Sequence, residues 1–223
     1  MLAAPGSAAG VAAEIAAVVR VDHPQIEVRL TAVDDLVSAL PQGRDAVVVP
    51  LLTWDDPTVL GPINQAVAES GSGAAVTGAL GPHPLLAEVL HIKLAEKGLA
   101  RADRVRLINV YSPVDAVILG TTGGERAVHA MQATAVLLAS RLTLPVVAAS
   151  LDSEPGVGVA ADRLRAAGAE RLALSPCLIG HEAPADLVRN AADAIGAGYA
   201  DPIGPHSMIA ELVARAYGSQ LAT

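Results

Sequence analysis

Aromatic side chains are almost missing from this 223-residue chain, which has no Phe, one Trp (Trp54) and three Tyr, together 2% of the sequence. That scarcity excludes the stacked aromatic platforms on which single-stranded nucleic acids lie. One cysteine, Cys177, excludes an internal disulfide framework and a Cys-x-x-Cys zinc site. Positive charge is also short: 15 Lys and Arg against 23 Asp and Glu give a formal net charge of −8, with no overall basic footprint for DNA or RNA. No apolar run approaches the ~20 residues of a membrane span. The opening Met1-Leu2-Ala3-Ala4-Pro5 has no basic stretch of the signal-peptide kind. A soluble, cytoplasmic protein is expected, with neither nucleic-acid nor membrane partners.

What is present is aliphatic. Apolar residues make up 52% of the chain, so its core must be built from Ala, Val, Leu and Ile. That mix suits parallel strands packed between Ala-rich helices. Short apolar runs predict strands at Leu2–Ala4, Val28–Val33, Ala46–Leu52 and Ala74–Ala79, then at Ala116–Leu119, Val146–Leu151, Arg171–Leu178 and Tyr199–Ile203. Periodic Ala/Leu/Val stretches with charged faces predict helices between them, among them Gly10–Val19, Pro84–Lys97, Arg126–Arg141 and Pro155–Ala167. Strands alternating with helices imply an α/β protein with parallel sheets flanked by helices. Pro50 and Pro176 are expected at the carboxyl ends of their strands, because a central ladder does not tolerate proline.

The chain also repeats itself. Residues 80–90 read Leu-Gly-Pro-His-Pro-Leu-Leu-Ala-Glu-Val-Leu and residues 203–213 read Ile-Gly-Pro-His-Ser-Met-Ile-Ala-Glu-Leu-Val, an offset of 123. Val47-Val48-Val49-Pro50-Leu51-Leu52 is echoed by Ala173-Leu174-Ser175-Pro176-Cys177-Leu178 at an offset of 126. Similar offsets in the same order predict two homologous halves, 1–102 and 103–223, which is a duplicated domain rather than a solenoid.

These segments, with the opening Leu-Ala-Ala-Pro-Gly-Ser and the late Ala-Asp-Pro-Ile-Gly-Pro-His, together resemble the class II chelatases of the sirohydrochlorin cobaltochelatase and ferrochelatase type. The resemblance runs the length of the chain in the right order. It implies two flavodoxin-like halves facing a central cleft in one chain, so that a monomer carries a complete site. It also implies insertion of a divalent metal, Co²⁺ or Fe²⁺ as substrate, into a tetrapyrrole such as sirohydrochlorin, with no organic cofactor. The departures are specific. The resembling enzymes place a histidine directly after the first strand, where this chain has Pro5 followed by Gly6 and Ser7. They place a second after the Val-Pro-Leu-Leu strand, where this chain has Thr58.

Metal insertion needs a base for the pyrrole protons and ligands to hand over the metal, and neutral imidazole suits both roles. Proline can do neither. The repeat sets Asp55 and Asp56 opposite His181 and Glu182, so these four are the candidate replacement metal ligands. The structural alternative has Asp55 and Asp56 capping the next helix while His181 and Glu182 decorate a loop; Asp before Pro57 is ordinary capping chemistry, which favours it. His83 and His206, the duplicated Gly-Pro-His pair, are candidate substrate contacts, or fix two equivalent strand–helix turns. Retention in both halves of an asymmetric site favours the second role. Trp54 either lies against a macrocycle face or anchors its loop. Thr122 and Gly123, in a Gly-rich strand-to-helix turn, are the second half's counterpart of Gly6 and Ser7. Both turns are candidates for meeting the substrate's carboxylates with backbone amides. Cys177 reads as a small buried hydrophobe.

Overall fold

The structure is a computed structural model, and it describes residues 1–5, 9–41, 46–101, 112–180, 183–184 and 186–221. The first half runs β1 (Leu2–Ala4), α1 (Val11–Asp22), β2 (Leu30–Ala32), α2 (Leu36–Ala39), β3 (Val47–Pro50), α3 (Pro57–Ser70), β4 (Ala75–Val76) and α4 (Pro84–Glu96). The second runs β5 (Ala116–Thr121), α5 (Gly124–Ala130), α6 (Gln132–Leu142), β6 (Val146–Ser150), α7 (Val157–Ala166), β7 (Leu172–Pro176), α8 (Leu187–Ala194), β8 (Gly198–Tyr199) and α9 (Ser207–Leu221). Each half forms a four-stranded sheet, ordered β2-β1-β3-β4 in one and β6-β5-β7-β8 in the other, and every pairing is parallel. This is the α/β architecture expected from the alternating pattern. Pro50 and Pro176 are the last residues of their strands, where the missing N–H leaves the ladder intact. The expected helix over 126–141 is instead two helices meeting at Met131, a residue with no local breaker chemistry.

The chain packs as two compact units. One is Met1–Gly81 with Gly204–Thr223, and the other is Pro82–Ile203. Helices α4 and α9, which end the two halves of the duplication, have therefore changed places. α4 packs on α6 and β7, while α9 packs on α1 and β3. Halves and compact units are two different divisions of the same chain.

In the first unit, Ala3 and Val48 point to the face covered by Leu36 and Leu40 at α2 and by Ile63 and Ala66 of α3, all buried. In the second, Ala116, Ile118, Leu172 and Leu174 meet Ala160, Ala161 and Leu164 of α7 and Val188 and Ala192 of α8. Small residues keep these layers close. At Gly120, a Cβ would come within 2.9 Å of Leu151 and 3.2 Å of Leu174, so the strand needs glycine there to let its neighbours close over it.

Two ion-paired links tie α4 into the second unit. Arg141 bonds Glu88 at 2.7 Å and donates to His91 Nδ1 at 3.1 Å, and His91 Nε2 lies 2.6 Å from the Arg101 carbonyl. With Nδ1 accepting from Arg141, Nε2 is the ring's donor to the Arg101 carbonyl. Lys97 meets Asp201 at 2.9 Å, and the carboxylate holds the ammonium above its usual pKa. At the amino ends of the two inner strands, β5 and β7, Arg171 and Asp115 pair at 2.7 Å. The Arg171 guanidinium and the Glu170 and Arg171 backbone amides depress the Asp115 carboxyl from 3.8 to about 2.

Candidate functional site

In an open α/β sheet, ligands sit outside the carboxyl ends of the strands, where the strand order reverses. That point lies between β1 and β3 in the first unit and between β5 and β7 in the second. The loops meeting at the first are 5–10 and 51–56; those at the second are 122–123 and 177–186. Most of the candidate residues stand in these four loops. Gly6, Ser7, His181 and Glu182 lie outside the described residues.

Pro5 directly follows β1, at the first switch point. In the loop after β3, Asp55 Oδ1 accepts the Ala79 N–H at 2.7 Å, a bond that staples this loop to the one after β4. Asp56 is the N-cap of α3; its Oδ1 accepts the Thr58 N–H at 2.8 Å and the Thr58 hydroxyl at 2.7 Å. Thr58, in the position of the second expected histidine, therefore spends its hydroxyl on the cap. Trp54 is 9% exposed and belongs to the core of its unit, which is the anchoring role. Asp55 and Asp56 have the capping and loop-fixing duties of the structural alternative.

His83 and His206 do the same work twice. His83 Nδ1 accepts the Leu85 N–H at 3.1 Å and His206 Nδ1 accepts the Met208 N–H at 3.1 Å, each at the start of its helix. An imidazole lone pair here replaces the Ser or Asp oxygen of a usual N-cap. After the helix exchange, His83 lies in the second unit and His206 in the first.

The turn after β5 is a genuine carboxylate cradle, but its carboxylate is the chain's own. Gly123, at φ 107°, directs its N–H to both oxygens of Asp152, at 3.1 and 3.3 Å. The Ser150 hydroxyl donates to Asp152 Oδ1 at 2.6 Å and accepts the Gly124 N–H at 3.3 Å, and Ser153 is a third donor to Asp152 at 3.0 Å. Burial acts to raise the Asp152 carboxyl, but the Ser150, Gly123 and Ser153 bonds outweigh it and the group lies below its ordinary pKa. Nearby, Glu154 accepts the Gly156 N–H at 2.9 Å ahead of α7. A cavity of about 420 Å³ opens beside this network, lined by Asp152, Ser153, Glu154, Val157, Leu187 and Asn190. Sequence reading missed Asp152; its signal was the Ser-Leu-Asp-Ser-Glu run leaving β6. Among the described residues, no three His, Cys, Asp or Glu side chains gather closely enough to hold a metal ion.

No family model and no curated protein matches the chain. Solved structures do. The chain is similar to the sirohydrochlorin chelatase SirB of Bacillus subtilis subspecies spizizenii, solved in complex with cobalt, with a TM-score of 0.65 and 12% identity over 96% of this chain and 91% of that one. It is also similar to DR2241 of Deinococcus radiodurans, a multi-domain protein described as structurally similar to chelatases, with a TM-score of 0.65 and 16% identity. That match covers 96% of this chain and 53% of DR2241, which carries two additional domains. The chain has a chelatase-like fold.

Proposed function

We propose that this chain binds a tetrapyrrole, sirohydrochlorin being the first candidate, and serves insertion of Co²⁺ or Fe²⁺ into it on a chelatase-like scaffold. The observation that carries the reading is the full-length fold likeness to a sirohydrochlorin chelatase, joined to the ordered motifs of both halves. Within it, the loops after β1, β3, β5 and β7 would meet the macrocycle, His181 and Glu182 being the remaining candidate metal ligands. The reading keeps the two halves, 1–102 and 103–223, in a single cytoplasmic chain.

A second reading is favoured by a specific observation: the chain is a non-catalytic tetrapyrrole- or metal-binding relative of the same fold. The Pro5 side chain offers no lone pair for a metal. Asp55, Asp56 and the Thr58 hydroxyl are committed to hydrogen bonds that hold their own loops. Drawing those carboxylates onto a metal would break a cap and a loop staple.

Anaerobic incubation with sirohydrochlorin, followed by Co²⁺, separates the two. A macrocycle spectrum that shifts on binding and shifts again with metal uptake faster than in buffer supports insertion. A first shift without accelerated uptake supports the binding protein. No shift at either step removes sirohydrochlorin as the ligand. In the Pro5→His/Thr58→His double variant, faster uptake is expected, because imidazoles would then occupy both positions where the resembling enzymes have them.

A further inference from the structure

Cations in the second unit follow a rule with two exceptions. Lys93, Arg141, Arg163 and Arg165 stand in the last turns of α4, α6 and α7, where the negative end of the helix dipole favours them. Most of the unit's cations are also committed. Lys93 pairs with Glu96, Lys97 with Asp201, Arg141 with Glu88 and Arg171 with Asp115, and Arg165 donates to the Ile195 carbonyl. Arg126 and Arg189 break the rule. Each is the third residue of its helix, α5 or α8, at the positive end of the dipole, and no other described helix carries Lys or Arg in its first turn.

Neither charge is compensated locally. Both residues are exposed, and among the described residues neither makes an ion pair or a side-chain hydrogen bond. Asp186, three residues before Arg189, takes the Asn190 side-chain amide on its Oδ2 at 3.3 Å instead.

A second observation is their place in the topology. α5 follows β5 and α8 follows β7, the two strands that flank the switch point of this sheet. α8 lies with α7 on one face. The connection from β5 to β6 runs along the sheet in the opposite direction to the one from β6 to β7, so right-handed crossovers put α5 on the other face. One exposed arginine therefore stands on each side of the strand ends where ligands of open α/β sheets lie. A charge that weakens its own helix, placed at both positions, is a local conflict of the kind that function explains.

We infer that Arg126 and Arg189 receive peripheral carboxylates of the macrocycle, which makes the ligand of this site a polycarboxylate tetrapyrrole. This rests on the tetrapyrrole reading and names residues that recognise its substrate. A planar guanidinium takes a carboxylate through two parallel N–H···O bonds, and a chain of net charge −8 needs such local cations to hold an anionic ligand.

The test is an anaerobic absorbance titration of the full chain with metal-free sirohydrochlorin, an eight-carboxylate macrocycle, at about 20 mM and about 200 mM salt, where the Debye length shortens from roughly 20 to 7 Å. Wild-type affinity is expected to fall as salt rises. Arg126→Gln and Arg189→Gln should each weaken binding roughly two- to fivefold at low salt, and the double variant by about the product, with a flatter salt dependence. Arg126→Lys and Arg189→Lys should retain part of the affinity, because the charge stays while the fork is lost. Arg163→Gln, which removes an equal charge from the last turn of α7, should leave binding unchanged. Thermal stability of the two Gln variants should hold or rise slightly, since a cation leaves the positive end of a dipole. A double variant that binds as tightly as wild type, an equal loss in Arg163→Gln, or affinity lost only together with stability overturns the inference and leaves the tetrapyrrole reading standing. If wild type shifts no macrocycle band at either salt, the tetrapyrrole reading falls and the inference falls with it.

Discussion

The two Gly-Pro-His turns have kept one job, whereas the loops after β3 and β7 have diverged. His83 and His206 each cap the helix that follows them with the same atom at the same 3.1 Å distance. At the repeat's offset of 126, Trp54 corresponds to Gly180, and Val49 to Ser175. Trp54 is packed into its unit, while Gly180 turns the chain at φ 133°. A residue retained identically in both halves serves the fold common to both. Asymmetry, which a single metal-handling site requires, belongs in the loops that differ.

The comparison breaks first at Trp54. Trp54→Ala removes the only indole from a packed position and is expected to cost about 3 kcal/mol or more in denaturant unfolding. A loss below about 1 kcal/mol, with tetrapyrrole binding abolished, would reassign Trp54 to the ligand.

The two caps come next. His83→Ala and His206→Ala should each cost about 1 kcal/mol, equally, with Asn at either position restoring most of it. Both variants should leave tetrapyrrole affinity unchanged. Loss of binding in one variant and not the other would show that the duplicated histidines have parted in function after all.

A smaller effect of opposite sign is expected at Ser175. Its hydroxyl is fully buried without a hydrogen-bond partner among the described residues, where the first half has Val49. Ser175→Ala removes an unsatisfied group and should stabilise the chain by about 0.5–1 kcal/mol. Destabilisation would mean that the hydroxyl has a partner in solution.

The pH dependence is the mildest discriminator. The Asp115 carboxyl is held at about 2 in the folded chain, against an ordinary 3.8. A depressed carboxyl contributes stability that is fully present above the unfolded-state value and is lost as pH falls through the folded one. Asp115→Asn should therefore flatten the acid limb of the stability curve between about pH 4 and 2, the window those two values define. An unchanged acid limb would assign that slope to other carboxylates.

Much of the fold was legible because its signals are local. Parallel strands buried on both faces read as continuous aliphatic runs, and Pro50 and Pro176 mark where two of them stop. The duplication also announced the equivalence of His83 and His206. What stayed hidden depends on tertiary packing. No local sequence pattern says that α4 packs on α6 and β7 while α9 packs on α1 and β3, because both contacts are made far along the chain. Asp55 reads from the sequence as a metal ligand or a helix cap, since its partner, the Ala79 N–H, lies 24 residues away. The Gly123 turn was readable as an anion cradle, but its occupant, Asp152, comes from the next strand's loop, 29 residues on. Local chemistry identifies a receptor more readily than it identifies what already fills it.

The central claim is that this fold holds a tetrapyrrole, and an equilibrium absorbance titration with sirohydrochlorin, under anaerobic conditions and in the absence of metal, tests it most directly. The account predicts a saturable one-site shift of the macrocycle bands, which persists in His83→Ala and His206→Ala. A spectrum that stays superimposable on free sirohydrochlorin at saturating protein would contradict it.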